Sequence, residues 1–318
     1  MSSDVISGAW RAEYDVMYSS SRDADCALCM DVYLPARPAP VLLLFHGWHG
    51  TRKSTRPTAE ILAPYFVVVN VDMRGRDKSG GAPDANGWEL LDGVDAVNHV
   101  RGHYAEFIRD PETVYVLGSS GGGGNTYAIM AKFPYLFAAG VALCGISDYA
   151  VWYNNDRVGE FRDEMDVWVG VAPDQDPDAY RARSGLHLLP NLKAPLLMFH
   201  GTEDPRVPIV HARLYSEWAD KLDKPVTYVE LPGLAHNLRL PDYLSIVLNF
   251  FEENGHAPAP DRQTRWLVGG YIQLGEQRLE LDSINDFAEV ECVLDEQGRV
   301  VSAAAVDGYT GDIRIVPL

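Results

Sequence analysis

Basic residues are scarce in this chain: 27 Lys and Arg stand against 45 Asp and Glu, for a formal charge of -18. Such a surface repels a polyphosphate backbone and an anionic bilayer, so neither nucleic acid nor membrane is expected as a partner. No apolar run reaches bilayer length, and Met1 to Trp10 has neither a basic segment nor a long apolar one, which places the protein in the cytoplasm by expectation. Cysteine is also sparse, with four in all. Cys26 and Cys29 have the spacing of half a zinc knuckle, but no matching pair of ligands follows and the segment from Asp25 to Leu34 reads as a strand. Cys144 and Cys292 sit in apolar surroundings that suit buried, inert thiols. No Gly-Lys-Ser/Thr follows the glycine-rich segment at 118–124, so a phosphate loop is excluded, and no cofactor or metal is expected.

That glycine-rich segment is the most informative feature present. An apolar, β-branched run at 113–117 ends in Gly118-Ser119-Ser120-Gly121-Gly122, a G-x-S-x-G in which a serine stands on a sharp strand-to-helix turn between small neighbours. Ser120 fits as nucleophile. Ser119 does not, because Leu117 would take its first glycine position. A serine nucleophile needs an acid and a base, and in an α/β sheet these follow it in the chain in that order at strand ends. The apolar run Ala194–Phe199 leads to Asp204, the acid candidate, with Glu203 as its neighbouring rival, and the strand at 225–231 leads to His236, the base candidate. Singly, His236 reads as well as a loop histidine and Asp204 as the cap of a helix at 209–221; the order of the three selects the catalytic reading. Upstream, the strand at 41–46 runs into His46-Gly47-Trp48, whose turn offers the Trp48 N–H to a substrate oxyanion, with the Gly121 N–H as second donor.

Strands and helices alternate along the chain, which predicts a doubly wound, mostly parallel α/β sheet. Lead-in strands are expected at 8–19 and 25–34, then helices at 56–64, 90–100, 122–132 and 242–253, with further strands at 66–71 and 138–144. A catalytic domain over 1–254 carries an insertion at about 146–194, rich in aromatics (Tyr149, Trp152, Tyr153, Phe161, Trp168 and Tyr180) and in charge, including Arg157. It reads as a lid, its aromatics either facing substrate or forming the lid's own core. Residues 255–262 read as a Pro/Gly linker, and 263–318 as a small β module with strands at 264–274, 277–282, 287–294, 299–306 and 312–317, suited to packing or to homo-oligomer formation.

From about residue 25 to 254 the chain resembles the α/β-hydrolases, nearest to the prolyl oligopeptidase and dienelactone hydrolase branch with its cephalosporin and acetylxylan deacetylase relatives. The resemblance rests on Phe45-His46-Gly47-Trp48, on Asp72 to Gly80, on Asp110 to Gly122, on His200 to Pro208 and on Gly233 to His236. It implies a Ser120, Asp204, His236 triad, and it favours Asp204 over Glu203 because Gly-x-x-Asp followed by Val-Pro is the commoner family placing. Two departures matter. His46-Gly47-Trp48-His49-Gly50 replaces the His-Gly-Gly-Gly of hormone-sensitive lipases, and Gly121 stands where many relatives carry Tyr, Gln or Met. Peptidases of this branch carry a large β-propeller ahead of the catalytic domain, whereas here only a short stretch precedes Val41. The expected activity is thus cleavage of a small-molecule carboxylic ester through an acyl-enzyme, with a short acyl group preferred. A peptidase or amidase of the prolyl oligopeptidase type comes second, and a non-catalytic binding protein on the hydrolase fold third.

Overall fold

The computed structural model describes residues 5–7, 9–156 and 159–318. Residues 1–4, 8, 157 and 158 lie outside the described residues, and with them fall half of the segment read for a leader, the start of the first expected strand and Arg157 of the lid. In chain order come β1 (Val5–Ser7), β2 (Trp10–Ser19), β3 (Ala27–Pro35), β4 (Val41–Phe45), α1 (Arg52–Leu62), β5 (Val67–Val71), α2 (Glu89–His103), β6 (Val114–Ser119), α3 (Gly121–Lys132) and β7 (Ala139–Leu143). Four short helices follow, α4 (Tyr149–Asn155), α5 (Arg162–Trp168), α6 (Pro177–Arg181) and α7 (Gly185–Leu188). After them come β8 (Leu196–Gly201), α8 (Val210–Lys221), β9 (Val226–Leu231) and α9 (Leu244–Glu253).

These strands form one nine-stranded sheet in the order β1-β2-β3-β5-β4-β6-β7-β8-β9, antiparallel from β1 to β5 and parallel across the rest. The apolar runs of β4, β5, β7 and β8 are buried throughout, as helices on both faces require. Alternate residues of each strand therefore feed two cores. Leu43, Val69, Val116 and Met198 pack with α2, α3 and α8, while Leu44, Val68, Leu117 and Phe199 pack with α1 and α9. This is the expected doubly wound α/β-hydrolase architecture.

The helix expected at 56–64 begins at Arg52 instead. Thr51 and Ser54 form a reciprocal cap there, so Pro57 falls inside the helix and does not open it. The last helix starts at Leu244, after a 3-10 turn at Leu240–Asp242 that takes up the first residues of the expected 242–253 span.

The C-terminal strands form a second, six-stranded antiparallel sheet from β10 (Arg265–Gly269), β11 (Tyr271–Leu274), β12 (Gln277–Glu280), β13 (Phe287–Leu294), β14 (Val300–Ala305) and β15 (Arg314–Pro317). The single strand expected over 264–274 is two, because the chain folds back at Gly270, whose φ is +69°. The connecting stretch is strapped to the hydrolase body: Thr113 donates to the Gly255 carbonyl (2.8 Å) and the Tyr135 hydroxyl to Asp261 (2.7 Å).

Candidate active site

Four strand ends on one edge of the parallel sheet supply the candidate residues, the usual place for a site in such a fold. β6 ends at Ser119, and Ser120 follows with φ +59° and ψ −121°, a left-handed conformation a serine rarely adopts. The turn is tight enough that a Cβ on Gly118 would sit 2.1 Å from the Gly122 carbonyl oxygen, which is why the pattern demands glycine there. The Ser120 N–H donates to the Leu143 carbonyl (2.8 Å), so β7 clamps the strained residue.

The loops after β8 and β9 meet this turn. His236 Nε2 lies 2.9 Å from Ser120 Oγ, and His236 Nδ1 lies 2.7 Å from Asp204 Oδ2. The Asp204 side chain is fully buried, and its Oδ1 accepts the N–H groups of Arg206 and Val207 at 2.9 Å each. Burial opposes charge on this carboxyl, yet the hydrogen bonds from His200, His236 and the Val207 N–H outweigh it and hold the group well below the usual carboxylate range. Glu203, the rival acid, is exposed to solvent.

Two further buried residues surround the acid: Cys144, a buried thiol as expected, and His200, which had entered only within the resembling stretch His200 to Pro208. His200 donates through Nε2 to the Val207 carbonyl (2.8 Å) and lies 3.5 Å from Asp204 Oδ2. The Cys144 thiol is pushed up to about 12 by burial, with the Asp204 charge acting in the same direction. Cys144, His200 and Asp204 are the group of possible metal donors found among the described residues, with ligand atoms within 4.8 Å of one another. Both Asp204 oxygens and His200 Nε2 are already engaged by the contacts above. The signal for Cys144 was its apolar surroundings, and for His200 its place at the end of an apolar strand.

The structure also brings Trp48 and Gly121 together. Gly121 opens α3, so its N–H has no acceptor within the helix and sits at the positive end of the helix dipole. A Cβ on Gly121 would lie 2.6 Å from the Trp48 backbone nitrogen, which shows how closely the two segments approach and why a larger residue is missing. Behind the turn, buried His46 donates through Nδ1 to the Gly47 carbonyl (2.8 Å) and accepts the Met73 N–H on Nε2 (3.2 Å); burial lowers its imidazole to about 4, keeping it neutral. The Arg76 guanidinium donates to the Trp48 carbonyl (2.8 Å).

The inserted helices cover this turn. Trp48, Tyr149, Trp152, Phe161, Met165 and Tyr180 share one apolar cluster, with Trp168 and Tyr153 packed against it. The lid's aromatics therefore build a core in common with Trp48 of the turn after β4. A small hollow of about 10 Å³ lies beside Gly121 and Trp48, lined also by Met73, Arg76, Tyr149 and Trp168. A hollow of about 480 Å³ opens on the other side of the lid, between Trp152, Asn155, Glu160 and Phe161 and the Asp204–Arg206 loop.

Comparison with known proteins places the fold. Residues 54–255 match the prolyl oligopeptidase family. The chain is 25% identical over 239 residues to dipeptidyl peptidase family member 6 of Caenorhabditis elegans, covering 70% of this chain and 31% of that protein. It is 28% identical over 243 residues to esterase LipC of Mycobacterium tuberculosis, covering 69% of this chain and 59% of the relative. Among solved structures it resembles the acylaminoacyl peptidase of Pyrococcus horikoshii, with a TM-score of 0.65 and 21% identity over 80% of this chain and 43% of that one. The chain thus spans less than two thirds of the length of these relatives. Among the described residues no helix is long and apolar enough to cross a membrane.

Proposed function

Because the chain belongs to the prolyl oligopeptidase family of serine hydrolases, we propose that it cleaves a carboxylic ester with a short acyl group through a Ser120 acyl-enzyme. The observation that carries this reading is the unbroken relay from Ser120 Oγ through His236 to Asp204, at 2.9 and 2.7 Å. His236 Nε2 takes the Ser120 proton as Oγ attacks the acyl carbon, and Asp204 steadies the imidazolium that forms. The Trp48 and Gly121 N–H groups receive the developing oxyanion. Collapse expels the alcohol, which leaves with the proton returned by His236. Water then repeats the sequence on the acyl-enzyme, giving the acid and free Ser120.

The lid aromatics Tyr149, Trp152 and Trp168 packed around the Trp48 ring narrow the room beside the turn, which supports a small acyl group. Peptidases among the relatives support a second reading, amide or peptide cleavage by the same relay. One panel separates the two: nitrophenyl esters from acetyl to dodecanoyl beside aminoacyl nitroanilides. Ester cleavage is expected to exceed anilide cleavage, with kcat/KM falling as the acyl chain lengthens. Turnover confined to the anilides would replace the ester reading with the peptidase one.

A further inference from the structure

The turn at residues 46–49 is held from the front by the lid, and one carboxylate bonds two of its side chains. Glu164, on α5, accepts a hydrogen bond from the indole N–H of Trp48 and another from His49 Nε2 (2.9 Å). The Trp48 ring is packed between lid side chains, with centroids 4.6 Å from Trp168, 4.9 Å from Trp152 and 5.9 Å from Tyr149. Arg76, which donates to the Trp48 carbonyl, itself lies over the Trp168 ring at 4.5 Å. With His46 fixing the Gly47 carbonyl from behind, residues 46–49 are pinned on both sides.

The indole N–H is the one polar atom of the Trp48 side chain, and a side chain only 7% exposed needs an acceptor for it. Glu164 is that acceptor. Remove the carboxylate and the indole has reason to turn toward another partner or toward water, taking the Trp48 backbone with it. The position of an oxyanion donor matters to within a fraction of an ångström.

We propose that Glu164 is a positioning residue: by bonding the Trp48 indole it sets the Trp48 N–H for the oxyanion, so that the catalytic geometry is complete only with the lid seated. This rests on the reading of Trp48 as an oxyanion donor. It predicts a loss in the transition state with little change in ground-state binding.

The test uses the full chain with a nitrophenyl acetate substrate and a trifluoromethyl ketone as tetrahedral mimic. Glu164→Leu is expected to lower kcat by about tenfold to a hundredfold, less than outright removal of a donor, while KM moves by less than about threefold. Affinity for the ketone should fall in parallel. Glu164→Gln, whose amide oxygen still accepts the indole N–H, should recover most of the loss. Trp48→Phe, which keeps a ring but deletes the N–H, should show the same loss and make Glu164→Leu nearly silent in the double variant. A folded Glu164→Leu with wild-type kcat, or equal losses in the Leu and Gln variants, overturns the proposal. Should the Leu variant not fold, a folded Trp48→Phe with wild-type kcat overturns it equally, because deleting the indole N–H then costs nothing. Failure of the hydrolase reading shows separately, as wild-type turnover that survives Ser120→Ala.

Discussion

Ser120 owes its exposure to a backbone conformation that the chain around it enforces, and the hydroxyl itself takes no part in that enforcement. Its φ of +59° is maintained by the bond from its N–H to Leu143 and by the lack of side chains at Gly118 and Gly122. Ser120→Ala should therefore keep the wild-type melting curve while turnover falls below about one hundredth of wild type. Retention of more would remove Ser120 from the mechanism. Gly121 tests the other half of the site. The methyl of Gly121→Ala meets the Trp48 nitrogen at 2.6 Å, so one of the two segments must shift. A drop in kcat that exceeds any rise in KM is expected if, as proposed, the displaced groups act on the oxyanion and not on the resting substrate. An unchanged kcat would mean that the Trp48 N–H lies off the reaction path.

The first helix is tied to the sheet by charge. Arg52, the first residue of α1, is wholly buried, and its guanidinium bonds Asp15, Asp31, Asp72 and Asp77. Asp31 and Asp72 have no exposed side-chain surface, so Arg52→Met would leave Asp72 buried without a cation and Asp31 with Arg56 alone. Urea unfolding should show a loss of about 3–5 kcal/mol, the usual consequence of breaking one side of a buried pair. A loss under about 1 kcal/mol, the range of a surface pair, would mean that water or the Arg56 contact to Asp31 compensates. The same helix marks the limit of sequence reading. Strands β4 to β8 were legible because buried parallel strands are near-continuous apolar runs, edge strand β9 was legible from its β-branched and aromatic residues, and the order Ser120, Asp204, His236 was legible because each follows a strand. The start of α1 was not, since a Thr51–Ser54 cap competes with the stronger signal of Pro57. Nor was Glu164, whose partner Trp48 is 116 residues away in the chain and whose charge, read alone, is only one of several on a polar helix.

At the scale of the molecule the C-terminal sheet is a structural part of the hydrolase body. Tyr271 of β11 belongs to the main apolar core, stacks on Trp88 at 5.1 Å and donates to the Gly87 carbonyl at the entry to α2. Asn191 and Leu267 exchange two hydrogen bonds at 2.7 and 3.0 Å. Helix α3, which follows Ser120, also ends on this sheet. Lys132, at its last turn, is buried with its Nζ 2.6 Å from the Gly269 carbonyl and 4.6 Å from the Tyr271 ring. Burial pulls its ammonium down to about 7, aided by the charge of Arg183 and opposed by Asp84 and Glu89. An unfolded lysine titrates near 10.4, so between about pH 7 and 10 the unfolded chain binds more protons at this site than the folded one. The contribution of Lys132 to stability is therefore full above the unfolded value and is lost as pH falls through about 7. In Lys132→Met the site no longer titrates, and the stability difference between wild type and variant should shift in favour of the wild type from pH 7 to 10. Parallel stability curves over that window would show instead that Lys132 stays charged between the Gly269 carbonyl and the Tyr271 ring, so that a cation, and not a neutral amine, joins the second sheet to helix α3.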